Sequence, residues 1–131
     1  MTLGIALISE VSVLAKTINR GDIWLVNFDP TAGREQKGTR PAVVVSSNEM
    51  DSSIIELAFV MPGTTRNRSL PNHITVHPSA VNKLKETTYF MAEQLRSVSI
   101  DRFEQQLGIL SDKELFDIEE VLILLLDLGP K

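Results

Sequence analysis

Arg40 ends a polar loop and stands immediately before Pro41, in the run Arg34–Glu35–Gln36–Lys37–Gly38–Thr39–Arg40–Pro41. Proline pushes its predecessor toward an extended backbone, so Arg40 is predicted at the mouth of a strand and not in the core. Its guanidinium offers a planar fork of donors matched to phosphate oxygens and stays protonated. A second polar loop carries Thr64, Thr65, Arg66 and Arg68 after Pro62–Gly63. Hydroxyls and a glycine-freed backbone can both donate to a phosphate. Glu35, in the first loop, is a carboxylate that could orient Arg40 or accept a proton, provided it lies within hydrogen-bond reach. Arginine itself is a poor base because of its very high pKa. A strand-capping surface arginine and ordinary turn hydroxyls would leave the same residues in place, so these types alone permit a phosphate site without requiring one.

Metal chemistry has little to work with. The chain has no cysteine and only two histidines, His73 and His77, in a strand-like context with no carboxylate nearby in sequence. An even separation puts both on one face of a strand. Structural histidines fit this context better, with an acid–base pair as the alternative. No Walker-type loop or dinucleotide fingerprint is present.

The elements that must position these side chains are mostly strands. Ile23–Phe28 alternates as a half-buried strand, with Ile23 and Leu25 on one side and Trp24, Val26 and Phe28 on the other. Asp29–Pro30 ends it, since proline cannot donate to a ladder. Ala42–Val45 and Ile54–Met61 continue the β pattern, with a turn at Asp51–Ser53. Pro62–Ser69 reads as loop, His73–Val76 as strand, and Thr87–Met91 and Gln94–Ile100 as the last strands. Such spacing without long intervening helices predicts a small antiparallel barrel. One helix is expected at Asp112–Asp127, opened by the capping-box pair Ser111 and Glu114. Leu115, Ile118, Leu122 and Leu125 would form its buried face, while Val121–Leu126 is apolar nearly all round. That excess predicts burial from two sides or a subunit contact.

At 131 residues, 43% hydrophobic and 23% charged, the chain reads as one globular domain. Its net charge of −4 argues at first against a nucleic-acid partner. The charge is uneven, however: residues 20–102 hold ten Lys/Arg against nine Asp/Glu, and residues 103–131 hold two against seven. The acidic segment is therefore expected to point away from any phosphate site. No run approaches the roughly 20 apolar residues of a membrane span. Residues 1–15 have no basic start, and Glu10 interrupts their apolar run. A secretory signal is not expected, and a cytoplasmic location is.

Taken together, Arg20–Gly21–Asp22–Ile23–Trp24, the DPTAGREQKGTRP run from Asp29 to Pro41, Met61–Pro62–Gly63–Thr64–Thr65 and Ala92–Glu93–Gln94–Leu95–Arg96–Ser97–Val98–Ser99–Ile100 resemble the MazF/PemK (Kid) toxins. The resemblance covers roughly residues 20–128 in order. It implies a toxin domain at 20–131, with residues 1–19 as either an extension packing on it or the product of an upstream start codon. It also implies an SH3-like antiparallel β-barrel with a C-terminal α-helix, and a metal- and cofactor-independent endoribonuclease of a toxin–antitoxin system. Such an enzyme cuts single-stranded RNA by 2′-hydroxyl attack, leaving 2′,3′-cyclic phosphate and 5′-hydroxyl ends. By resemblance, Arg40 and Thr64 act at the scissile phosphate, with Glu35 in the same catalytic set and Thr65 interchangeable with Thr64 by one residue of loop shift. Arg34, Gln36, Lys37, Thr65, Arg66, Arg68, Glu93 and Gln94 would contact RNA, Glu93 and Gln94 alternatively buttressing Arg40. The Kid-like branch carries a further arginine where this chain has Met91, so that branch's full set is incomplete. A homodimer and a cognate antitoxin whose tail fills the groove are implied as partners, along with DNA binding by the antitoxin complex. Two rivals remain: a CcdB-like gyrase poison and a non-catalytic RNA-binding barrel. The first acts through its terminal residues, whereas the sequence here ends in Asp127–Leu128–Gly129–Pro130–Lys131 and the loop residues of the nuclease are present. The second would need exposed aromatic platforms, and only 5% of residues are aromatic.

Overall fold

The computed structural model describes residues 16–130. Seven strands, β1 (Asp22–Asn27), β2 (Thr39–Val44), β3 (Leu57–Thr64), β4 (His73–Val76), β5 (Thr88–Met91), β6 (Arg96–Ser99) and β7 (Phe103–Ile109), precede a C-terminal helix, α2 (Asp112–Leu125). A single helical turn, α1 (Ser52–Ile55), lies between β2 and β3. All pairings are antiparallel, in the order β4–β5–β3–β2–β1–β7, with β6 also on β3. The sheet curls as a barrel would, but β4 and β7 end it without joining, so it does not close.

β1 alternates as expected, yet both its faces are covered. Ile23 joins Val43, Met61, Phe90 and Ile118 in a core between the sheet and α2. Trp24, Val26 and Phe28 join Val44, Val60, Val98 and Phe103 in a second core. Trp24 meets Phe103 edge-on, with ring centroids 5.6 Å apart. A strand buried on both faces is fixed in register, because a slip of one residue would exchange the two cores. β1 therefore gives the following loop a rigid start. Ile18 packs on the second core and Lys16 Nζ donates to Ile100 O. Residues 1–15 of the expected extension lie outside the described residues.

Three expectations are corrected. Ile54 and Ile55 belong to α1, not to the third strand: Asp51 caps the turn by accepting from Ser53 N, and Glu56 ends it in the left-handed region. Conversely, Pro62–Thr64, read as loop, completes β3. Gln94–Ile100 is not the last strand either. Its middle forms β6, and β7 follows, pairing with β1 through two register shifts.

α2 carries both halves of the capping box, with Ser111 Oγ accepting from Glu114 N and the Glu114 carboxylate accepting from Ser111 N. Ile118 is fully buried, with Leu115, Val121 and Leu122 against the same core. Leu125, expected on that face, is 43% exposed, as are Phe116, Ile123, Leu124 and Leu126 to similar or greater extents. The apolar excess of the helix thus lies bare on this chain.

Candidate active site

The β1–β2 loop is closed at its base by backbone and side chain together. Phe28 N donates to Gly38 O at 3.0 Å, and Gly38 N donates to Asp29 Oδ1 at 3.0 Å. Arg102 Nη1 donates to Asn27 O at 3.1 Å and also to Asp29 O. From the far side of the fold, Gln94 clamps the loop's tip: its Oε1 accepts from Gln36 N at 3.0 Å and its Nε2 donates to Arg34 O at 3.1 Å. An eleven-residue excursion between two strands is thereby held in one shape.

That shape fixes Arg40. Its Nε donates to Lys37 O at 2.9 Å and its Nη1 to Gly63 O at 3.0 Å. With its amide oxygen facing the guanidinium, Gln36 accepts from Nη2 at 2.8 Å and from Nη1 at 3.0 Å. Partial burial pulls the Arg40 pKa below its ordinary value, and the charge of Asp29 opposes this. Gly63 reaches this carbonyl position because it lacks a side chain. A Cβ there would lie 2.5 Å from Thr88 Cγ2 and 3.1 Å from the Phe90 ring.

Arg40 borders a cleft of about 380 Å³ with Thr39, Pro41, Gly63, Thr64, Thr65, Arg66 and Thr88. Thr64 Oγ1 accepts from Arg66 N at 3.2 Å, which leaves its hydroxyl proton available. The cleft thus joins one oriented guanidinium, two threonine hydroxyls and a second arginine, a donor set suited to a phosphodiester. It contains no carboxylate, and among the described residues no three His, Cys, Asp or Glu side chains converge as a metal site.

A family model for the PemK-like, MazF-like toxin of type II toxin–antitoxin systems matches residues 19–126. This chain belongs to that family. A MazF endoribonuclease of Staphylococcus saprophyticus is 28% identical over 108 residues, covering 80% of this chain and 88% of that protein. The crystal structure of MazF from Deinococcus radiodurans superposes with a TM-score of 0.76 at 28% identity, over 86% of this chain and 99% of that one. A MazE–MazF complex from the same organism gives 0.70 at 27% identity, over 87% and 99%.

Against this PemK/MazF framework, the expected residues divide between the cleft, the exposed faces of the two loops, and braces away from the guanidinium. Arg40, Thr64, Thr65 and Arg66 share the cleft, while Gln36 and the Lys37 carbonyl hold the guanidinium from the side. Arg34, Lys37 and Arg68 present exposed side chains on the two loops. Glu35 pairs with Arg96 instead of Arg40, at 3.6 Å, an ion-pair distance too long for a hydrogen bond. Arg96 in turn lies over the Phe28 ring, 5.7 Å from its centroid. Glu93 accepts from Asn72 Nδ2 at 2.7 Å and meets His73 Nε2 at 2.7 Å. It is therefore a brace between β4 and the turn that carries Gln94. Met91, at the Kid-branch arginine position, is buried. The carbonyl of Gly63 was not expected to hold Arg40; the antiparallel pairing of β2 with β3 brings the two together. Glu104 departs from the expectation that the acidic 103–131 segment points away from the site: it accepts from Thr39 Oγ1, at the cleft's rim, at 3.3 Å.

Proposed function

We propose that the chain is the toxin of a toxin–antitoxin pair and cuts single-stranded RNA by metal-independent attack of a 2′-hydroxyl on the adjacent phosphate. The observation that carries this reading is the fixed guanidinium of Arg40 at the mouth of a cleft lined by hydroxyls. As the phosphorane-like transition state forms, charge gathers on the non-bridging oxygens. A donor already oriented by Lys37 O and Gly63 O stabilises it without reorganising. The Nε–H, both Nη1–H and one Nη2–H are engaged by Lys37, Gly63 and Gln36, so bidentate binding requires the flexible Gln36 amide to yield its place to the phosphate. Thr64 or Thr65 supplies a further hydroxyl donor.

Glu35 enters through the loop and not through the guanidinium, since its partner is Arg96. Arg34, Lys37, Arg66 and Arg68 neutralise flanking phosphates, Gln36 and Thr65 contact the strand at the cleft, and Glu93 and Gln94 keep the loop in register. Trp24, buried against Phe103, offers no stacking platform. The bare apolar stretch of α2 supports a homodimer. The MazE–MazF structure of the Deinococcus relative supports an antitoxin partner for this chain. Among the described residues no helix is long and apolar enough to cross a membrane. Incubation with a long unstructured RNA in EDTA tests the reading: the wild-type chain should cut at recurrent sites and Arg40→Ala should not. Cleavage that disappears in EDTA and returns with a divalent ion would contradict it.

A further inference from the structure

A second cleft opens beside the Arg40 cleft and shares Pro41, Thr65 and Thr88 with it. It encloses about 380 Å³ over an apolar floor of Leu25, Leu84 and Leu107, with Lys83, Lys85 and Gln105 at its rim. The segment that supplies the lysines is held from within. Asn82 is fully buried; its Oδ1 accepts from Ser79 N at 3.0 Å and from Leu84 N at 2.9 Å, and its Nδ2 donates to His77 O at 2.8 Å. Lys83 follows with φ +55°, a conformation uncommon for a residue with a side chain. Among the described residues neither lysine takes part in an ion pair. Glu86 is the acidic member of the lining, which leaves the cleft with a surplus of positive charge.

An apolar floor beside unpaired lysines fits a nucleotide, with the base on the floor and the phosphate at the rim. Continuity with the Arg40 cleft places that nucleotide on the same strand as the scissile phosphate. Single-stranded RNA suits such a cleft because its unstacked bases can be splayed out and read along their edges. We propose that this second cleft is the subsite for a nucleotide flanking the cut: Leu25, Leu84 and Leu107 receive its base, Lys83 and Lys85 its phosphate, and the Gln105 amide its base edge. The subsite rests on the nuclease reading and extends it to residues outside the two loops that carry Arg40 and Thr64.

The test is steady-state cleavage of a long unstructured RNA by wild type, Lys83→Gln/Lys85→Gln and Arg40→Ala over a range of salt concentrations. The double variant should raise KM about tenfold while kcat stays within about twofold. Its log KM should also depend less steeply on log salt, by about 1.4, the slope expected for two lost contacts to single-stranded RNA. Glutamine keeps most of the side-chain length, and unchanged thermal unfolding would show that the fold is intact. A wild-type KM and salt slope in the double variant overturn the subsite while cleavage by wild type leaves the nuclease reading standing. No cleavage by wild type overturns both. A wild-type KM together with weakened self-association in sedimentation velocity would give the cleft to a second copy of the chain, and the subsite would fall.

Discussion

Replacing Arg40 by lysine keeps the charge and removes the fork, so it separates the two contributions of this residue. In the structure the guanidinium spans two fixed backbone acceptors, Lys37 O from Nε at 2.9 Å and Gly63 O from Nη1 at 3.0 Å, and also meets the Gln36 amide from Nη2 at 2.8 Å. A lysine ammonium is a single centre on a flexible stem and cannot meet acceptors set around a plane. It would settle on one carbonyl or turn toward Asp29, whose charge already acts on the guanidinium. Either way the transition state loses a donor that was in place before the reaction began. Removing one such donor typically lowers the rate by on the order of 10²–10³, or roughly 2.7–4 kcal/mol. Both Arg40→Lys and Arg40→Ala should therefore fall by about that factor in kcat at saturating RNA. Lysine should recover less than about tenfold, because it restores long-range attraction without bidentate geometry. Single-turnover cleavage of an end-labelled RNA measures this directly, with circular dichroism to confirm folding. Turnover by Arg40→Lys within about threefold of wild type would refute preorganisation and reduce Arg40 to a diffuse charge.

Gly63→Ala should be costly, since its Cβ would fall 2.5 Å from Thr88 Cγ2 between β3 and β5. Overpacking of this kind costs about 1–3 kcal/mol, readable as a lower urea midpoint. Arg66→Ala/Arg68→Ala should weaken RNA binding and flatten its salt dependence by about 1.4 in log–log slope, whereas Glu119→Gln/Glu120→Gln should leave RNA binding unchanged. The latter pair costs at most about 1 kcal/mol of stability, through the exposed Arg20–Glu119 pair at 3.4 Å. Burial raises the Asp22 pKa, with the bonds from Asn19 N and Trp24 Nε1 opposing. The folded chain then binds that proton more tightly than the unfolded one, so ionisation of Asp22 lowers stability as pH rises from the usual Asp value through the raised one. Asp22→Asn should accordingly gain most relative to wild type at neutral pH and lose that advantage toward pH 4, measured by urea unfolding at both. An advantage independent of pH would rule out burial as the cause.

Local rules account for much of the architecture. The capping box at Ser111 and Glu114, the alternation of β1 and the end of that strand at Asp29 can all be read from neighbouring residues, and the structure keeps them. β7 escaped because the two register shifts with β1 break its period of two, and Glu104, Gln105 and Gln106 lie exposed in sequence after buried Phe103. α1 escaped because one helical turn has no periodicity; the Asp51 cap alone marks it. The same division runs through the site. Residue type and the neighbouring proline and glycine mark Arg40 and the Thr64–Thr65 pair as able to meet a phosphate, but only the family resemblance singles them out. The clamp by Gln94 spans 58 residues and the Gly63 contact 23, so both depend on how the sheet folds over. Glu35 could not be placed from sequence for a similar reason: its partner, Arg96, arrives from β6.

The chemistry of the cut ends tests the central claim most directly. Products of a long RNA, cut in EDTA and treated with polynucleotide kinase and labelled ATP, should accept label at new 5′ ends without prior phosphatase treatment. Their 3′ ends should carry 2′,3′-cyclic phosphate. Products bearing 5′-phosphate and 3′-hydroxyl ends would contradict 2′-hydroxyl attack at the Arg40 cleft and would call for an activated water in its place.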